Sequence, residues 1–115
     1  MKEKYTIGET AVLLGVSTQT LRYYDKIDLL PPKYIDEETG YRFYSYNQFH
    51  YIDKIKYLQG FGLSLEEIKV IIKSGSVDSL STYLQQKQKE KEKELLDLQR
   101  QIKDIEWYIN YFIYM

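Results

Sequence analysis

Residues 6–26 of the chain, TIGETAVLLGVSTQTLRYYDK, carry the signals for two short helices joined by a tight turn. Thr6 and Glu9 have the spacing of a capping box, in which each side chain accepts a hydrogen bond from the other residue's backbone N–H. Gly15 suits a left-handed C-cap, and Ser17 can cap a second helix of about ten residues. The first helix has one apolar stripe, formed by Ile7, Ala11 and Leu14. The segment therefore predicts a helix-turn-helix.

A β-hairpin is predicted after the second helix. That helix must end near Leu29-Leu30, because Pro31-Pro32 cannot continue it. Beyond the prolines, Tyr34-Ile35 and residues 41–44 flank a polar loop, residues 36–40, that ends in glycine. Two aromatic or β-branched runs around such a loop are typical of a two-stranded hairpin.

Two more short helices are predicted between the hairpin and residue 73. Ser45 can cap a third helix that continues to about Gln59, where Gly60-Phe61-Gly62 interrupts it. Residues 64–67, Ser-Leu-Glu-Glu, form another capping box and open a fourth helix that reaches about Lys73.

One long helix is allowed from residue 77 to residue 115, because this stretch contains neither glycine nor proline. Its large apolar side chains recur at alternating intervals of three and four, the a/d pattern of a coiled coil, and form a seam of Leu95, Leu98, Ile102, Ile105, Ile109 and Phe112. Extended backwards, the seam passes through polar Lys91 and Gln88 to Leu84. At ~1.5 Å per residue the helix exceeds about 50 Å, so it cannot pack wholly on a small globule. Its seam requires a partner, most simply a second copy.

The predicted fold is mainly α. A winged helix-turn-helix of four short helices and a two-stranded wing occupies residues 1–75, and a coiled-coil dimerisation helix occupies residues 76–115. The 43% apolar content supports a packed core. No window approaches ~18 consecutive apolar residues, and the first residues lack a signal-peptide core, so we expect a cytoplasmic protein without a membrane partner.

The composition argues against an enzyme. The chain has no cysteine, which removes disulfides, thiolate metal ligands and cysteine nucleophiles. The single histidine, His50, has only Asp53 nearby in sequence, too little for a metal site or for acid–base chemistry. We predict no catalytic residue, no metal and no cofactor. A net charge of −1 does not itself indicate nucleic acid, so DNA binding has to rest on local geometry.

Several stretches resemble, in order and spacing, the MerR family of bacterial transcription activators. Within that family the chain looks most like the Bacillus-type multidrug-transporter regulators that sense lipophilic cations. The matching stretches are Ile7-Gly8-Glu9, Gly15-Val16-Ser17, Leu21 to Lys26, Leu29-Leu30, Gly40 to Tyr44 and Gly60 to Ile68.

The resemblance implies a homodimer joined by an antiparallel coiled coil. Such dimers bind pseudo-palindromic promoters whose spacer is over-long, and they distort the DNA so that RNA polymerase can engage both promoter elements. Multidrug-type members carry a ligand-binding domain after the coiled coil, so we expect this chain to be the DNA-binding part of a longer, drug-responsive protein. The operator, the effector and the behaviour without effector stay open.

The outward face of the second helix is expected to meet DNA if Leu21 faces the core. Glutamine can pair with adenine and threonine can contact a base edge, whereas arginine and tyrosine hydroxyls suit phosphates. The candidate residues are Thr18, Gln19, Arg22, Tyr23 and, through its hydroxyl, Tyr24. Family first helices often carry a basic residue where this chain has Val12-Leu13, so the first helix is expected to add little.

The wing is expected to contact the DNA backbone through Lys33, Tyr41, Arg42 and Tyr44. Alternation along the strand puts Arg42 and Tyr44 on one face and Tyr41 and Phe43 on the other. We expect Arg42 and Tyr44 to face DNA and Phe43 to pack inward. The acidic tip, residues 36–38, should point away from phosphate.

Three alternatives stay open at this level. Lys54 or Lys56 could meet phosphate. The aromatic cluster of residues 107–114 could end the dimer seam, contact the partner's DNA-binding domain, or help form a drug pocket with Glu106. The whole chain could instead be a coiled-coil interaction module in which the helix-turn-helix is only scaffold.

Overall fold

The computed structural model describes residues 2–114 and divides into two compact units, Met1–Ser76 and Val77–Met115. The elements follow one another along the chain as β1 (Tyr5–Thr6), α1 (Ile7–Leu14), α2 (Thr18–Lys26), β2 (Tyr34–Ile35), β3 (Arg42–Tyr44), a 3₁₀ turn (Tyr46–Gln48), α3 (Phe49–Gly60), α4 (Leu65–Ser74) and α5 (Val77–Ile113). The predicted class, a mainly helical winged helix-turn-helix with a long C-terminal helix, is confirmed.

Capping side chains form the helix N-termini that the sequence predicted. Thr6 Oγ1 accepts from the Glu9 N–H at 3.0 Å, and Glu9 Oε1 accepts from the Thr6 N–H at 3.0 Å. Ser17 Oγ accepts from the Thr20 N–H at 3.0 Å at the start of α2. Gly15 lies between them with φ 66°, the left-handed conformation that glycine adopts without strain. The turn between α1 and α2 is therefore set by local hydrogen bonds.

The third helix begins later than predicted. Instead of one helix from Ser45, a 3₁₀ turn precedes α3, and the Gln48 side chain organises this entry. Its Oε1 accepts from the backbone N–H groups of Ser45 at 3.0 Å and Lys33 at 3.2 Å, and its Nε2 donates to the Pro31 carbonyl at 2.7 Å. Gln48 thus ties the start of α3 to the segment that leads into the wing.

The wing has three strands, not the two that the sequence predicted. The order is β1-β3-β2, with both pairs antiparallel. Phe43 is paired with Thr6 on one side and Tyr34 on the other, so these three residues share a face. The sequence did not predict β1, because a strand of two residues is too short to show alternation of apolar and polar side chains.

The core of the first unit lies where α2, α3, α4 and β3 meet. Its buried apolar side chains are Ala11, Leu21, Tyr24, Leu29, Leu30, Tyr44, Ile52, Ile55, Leu58, Leu63, Ile68 and Ile71. Full burial of a large apolar side chain is worth about 1.5–3 kcal/mol, so these contacts dominate the stability of the unit.

The C-terminal ends of both helix-turn-helix helices are capped by lysines from later helices. Lys56 Nζ on α3 donates to the Leu14 carbonyl at 2.8 Å, and Lys69 Nζ on α4 donates to the Ile27 carbonyl at 2.9 Å. Cations are favourable at helix C-termini, where carbonyls lack intrahelical partners. Lys56, one of the two lysines considered for phosphate, therefore caps α1.

α5 is one continuous helix of 37 residues, as the absence of glycine and proline predicted. Its seam side chains, from Leu95 to Phe112, are all exposed in the single chain. Among the described residues, no helix is both long and apolar enough to span a bilayer.

Candidate nucleic-acid interface

One face of α2 is polar and solvent-exposed. Leu21 is fully buried, as predicted, and this orientation turns Gln19, Arg22 and Tyr23 outward. Thr18, the first residue of the helix, is half-buried beside them. The first turn of α2 therefore offers an amide and a hydroxyl, and the next turn offers a guanidinium and a phenol.

Tyr24 belongs to the core rather than to this face. It is 3% exposed, and its hydroxyl donates to Gln59 Oε1 at 3.2 Å. Burial raises the pKa of the Tyr24 phenol. Tyr24 was a candidate DNA contact through its hydroxyl, but that group is already bonded to α3, so we remove Tyr24 from the interface.

Tyr44 is also removed from the predicted interface. It is 0% exposed, and its hydroxyl donates to the Leu21 carbonyl at 3.4 Å. Burial, together with the nearby negative charge of Asp25, raises the pKa of Tyr44 to about 12. The strand alternation was predicted correctly, but the face that carries Tyr44 turns towards α2 and the core. Phe43, expected to pack inward, lies on the opposite face and is half-buried.

Arg42 shares the face of Tyr44 but extends to the protein surface. Its Nε donates to Asp25 Oδ2 at 2.8 Å, in an ion pair whose side chains are 42% and 21% exposed. Asp25 was not predicted as a functional residue. Its signal in the sequence is an acidic residue in the last turn of a helix, where the helix dipole disfavours negative charge.

The opposite face of the wing combines aromatic rings with lysines. Lys4 Nζ lies 4.7 Å from the centroid of the Tyr34 ring and 6.0 Å from that of Phe43, and Lys33 Nζ lies 5.5 Å from Tyr34. Such contacts hold an ammonium group near a ring face while leaving it hydrated. Lys33 was a predicted site residue. Lys4 was missed because it precedes every predicted element.

A groove of about 310 Å³ runs between the wing, α2 and the start of α1. It brings together two guanidinium groups and an exposed phenol with the backbone of a tight turn, and its lining is Thr6, Ile7, Arg22, Gly40, Tyr41 and Arg42. Arginine donates in a planar fork that matches phosphate oxygens. The groove therefore has the chemistry of a site for a phosphodiester.

The tip of the wing is a self-contained acidic turn. Asp36 Oδ1 accepts from the backbone N–H groups of Glu38 at 2.9 Å and Thr39 at 3.0 Å. These two hydrogen bonds, that from Thr39 first, lower the pKa of Asp36. The carboxylates of Glu37 and Glu38 are exposed at the tip. Over residues 2–114, no group of three or more histidine or acidic side chains is placed to hold a metal ion.

Comparison with known proteins identifies the family. Residues 5–75 match the model of the MerR HTH family of regulatory proteins. Over 70 residues, or 60% of the chain, the sequence is 51% identical to the multidrug-efflux transporter 1 regulator of Bacillus subtilis. The chain spans 25% of the length of that regulator.

Solved structures extend the likeness to nearly the whole chain. The crystal structure of MtaN, the N-terminus of the Bacillus subtilis multidrug transporter activator, matches with a TM-score of 0.79 and 28% identity, over 92% of this chain and 98% of that one. EcmrR in its DNA complex, solved by cryo-EM within EcmrR-RPo, matches with a TM-score of 0.74 and 29% identity, over 93% of this chain and 39% of that one. The chain belongs to the MerR family of helix-turn-helix transcriptional regulators and is not an enzyme.

Proposed function

We propose that this chain binds double-stranded promoter DNA as a homodimer and distorts a promoter with an over-long spacer for RNA polymerase. The observation that carries the proposal is the groove in which Arg22 of α2 converges with Tyr41 and Arg42 of the wing. A recognition helix and a wing that share one phosphate site would hold the helix in a single register on DNA.

Base reading is assigned to the first turn of α2. Recognition helices contact base edges with their N-terminal residues, where Gln19 is exposed and Thr18 is half-buried. Gln19 suits adenine, and Thr18 suits a base edge or a thymine methyl group. Arg22 and the hydroxyl of Tyr23, which is 50% exposed, are assigned to phosphates next to these bases.

Backbone contact by the wing is assigned to Tyr41, Arg42 and Lys33. Tyr41 and Arg42 line the groove, and Lys33 lies on the opposite face of the wing, beside the ring of Tyr34. The wing tip, with its exposed carboxylates, points away from the backbone because phosphate would repel it.

Dimerisation is assigned to the seam of α5. Six large apolar side chains on one stripe of a helix would be left in water by a single chain, and a two-fold partner covers both copies at once. An antiparallel pair would hold the two α2 helices at opposite ends of a rod, so only one half-site spacing would fit. The polar part of the seam, Gln88 and Lys91, would help to set the register at some cost in stability.

Promoter distortion follows from that fixed spacing. Where the spacer is longer than the rod allows, binding both half-sites requires the DNA to bend or untwist, at about 1–10 kcal/mol drawn from the phosphate contacts. Because two relatives are named as regulators of multidrug transporters, we propose that a small-molecule effector controls this regulator. The site of action would be the cytoplasm, where bacterial promoters lie.

The test is fluorescence anisotropy on a duplex from the promoter of the protein's own operon and on a random duplex, each over a salt series. A phosphate-dominated complex must weaken steeply as salt rises. Gln19→Ala should cost about 1–3 kcal/mol on the specific duplex and little on the random one. Salt-independent binding, or no binding to either duplex, would favour the interaction-module alternative. An equal loss on both duplexes would reassign Gln19 to the backbone.

A further inference from the structure

Asp25 holds the side chain of Arg42 through a charge-assisted hydrogen bond. The carboxylate sits in the last turn of α2 and accepts one hydrogen bond, from Arg42 Nε, at 2.8 Å. A guanidinium has five N–H donors in a fixed planar fork, so fixing Nε also fixes the direction of the four Nη donors. Arg42 lines the groove that also contains Arg22 and Tyr41.

The location of Asp25 would be unfavourable for an unpaired carboxylate. A negative charge in the last turn of a helix opposes the helix dipole, and a carboxylate on a DNA-binding face repels phosphate. The side chain is nevertheless 21% exposed and held against β3, where the Tyr44 hydroxyl donates to Leu21 of the same helix. Two bonds, one charged and one neutral, thus join α2 to the central strand of the wing.

We propose that Asp25 is a positioning residue for DNA binding, which orients the Arg42 guanidinium in the groove and couples the wing to the recognition helix. This inference rests on the proposed function, since it requires Arg42 to contact phosphate. The Asp25 carboxylate would then strengthen DNA binding, although its negative charge lies on the DNA side of the protein.

Whether Asp25→Asn tightens or weakens DNA binding distinguishes a positioning role from a purely electrostatic one. If Asp25 acted only through its charge, Asp25→Asn would remove a repulsion and tighten DNA binding. If Asp25 orients Arg42, the same substitution replaces a charge-assisted hydrogen bond with a weaker neutral one, so the guanidinium is held less firmly and DNA binding weakens. Coupling energies of exposed ion pairs correspond to about two- to fivefold in affinity, so the expected loss on any duplex is of that size.

A matched control lies three residues further along. Asp28 carries the same charge at the same end of α2, and its carboxylate is 3.5 Å from Lys73 instead of Arg42. Its φ of 56° is tolerated by asparagine, so Asp28→Asn changes the charge without new backbone strain. This variant should bind DNA as tightly as the wild type or slightly more tightly.

The experiment is anisotropy on specific and random duplexes, over a salt series, with Asp25→Asn, Asp25→Glu, Asp28→Asn, Arg42→Ala and the Asp25→Asn/Arg42→Ala double variant. Asp25→Asn should weaken binding and flatten the salt slope towards that of Arg42→Ala, and it should add no loss to Arg42→Ala. Asp25→Glu, which keeps a carboxylate, should recover part of the loss. The salt slope reports on folded molecules, so partial unfolding does not imitate this result.

Two outcomes would overturn the inference in different ways. If Asp25→Asn tightens binding as much as Asp28→Asn does, Asp25 acts only by its charge and the proposed function still stands. If Arg42→Ala leaves affinity unchanged on every duplex, Arg42 is not a phosphate contact, and this part of the proposed function fails together with the inference.

Discussion

Replacing Ile102 with glutamate should separate the two chains of the proposed dimer. Ile102 is in the middle of the seam and is 55% exposed in the single chain. A dimer that buried this half of its surface would gain about 1 kcal/mol per chain, or about 2 kcal/mol for both. The substitution loses this gain and adds a desolvated carboxylate on each side, at several kcal/mol per ion. We expect the dimer dissociation constant to rise at least about a thousandfold, which corresponds to roughly 4 kcal/mol.

Sedimentation equilibrium over a concentration series measures this constant, and anisotropy on a palindromic duplex measures DNA affinity in the same samples. Leu96→Glu is the matched control, because Leu96 is 60% exposed and next to Leu95 but off the seam. It undergoes the same change in chemistry and should remain dimeric. Residues 1–76 form a separate compact unit, so their unfolding transition should persist in both variants.

Two results would refute this reasoning. A dimer of Ile102→Glu with the wild-type dissociation constant would show that the seam is not the interface. A monomer that still binds its palindrome with wild-type affinity would show that dimerisation and DNA binding are not coupled.

Three further predictions concern the first unit. Arg42→Ala should weaken binding to specific and random duplexes about equally and reduce the salt slope by roughly one, as anisotropy can measure, because phosphate contacts carry no sequence information. The pKa of Tyr44 is raised from 10.0 to about 12, so the unfolded phenol ionises first. Ionisation of Tyr44 should therefore leave the free energy of unfolding unchanged below pH 10. As the pH rises towards 12, it should lower that free energy by up to about 3 kcal/mol. Urea denaturation should show a smaller pH dependence for Tyr44→Phe, and an identical dependence would contradict the assignment. Lys56→Met should lower the free energy of unfolding by about 0.5–2 kcal/mol, and an equal loss for Lys54→Met would argue against the cap.

The features that the sequence predicted well depend on residues close together in the chain. The capping box of Thr6 and Glu9 and the cap at Ser17 each join residues three positions apart, so the residue types alone reveal them. Likewise, the length of α5 follows from the absence of helix-breaking residues after Ser76.

The features that the sequence predicted poorly depend on packing between distant segments of the chain. Alternation correctly paired Arg42 with Tyr44, but which face of β3 turns inward is decided by contact with α2. A tyrosine hydroxyl normally favours the surface, and the hydrogen bond to the Leu21 carbonyl makes the buried position of Tyr44 tolerable. The ion pair between Asp25 and Arg42 joins residues 17 positions apart, beyond the reach of any local pattern.

The two lysine caps also bear on the order in which the protein becomes structured during synthesis. Lys56 with Leu14, and Lys69 with Ile27, each close a span of 42 residues. Both lysines are translated well after the helices whose C-termini they cap. Contacts of such separation form late, because the intervening chain must be ordered first. A chain that ended at Gly60 would contain Lys56, which caps the C-terminus of α1, but not Lys69, which caps that of α2, so the helix proposed to read the DNA sequence is made early and receives its C-terminal cap last.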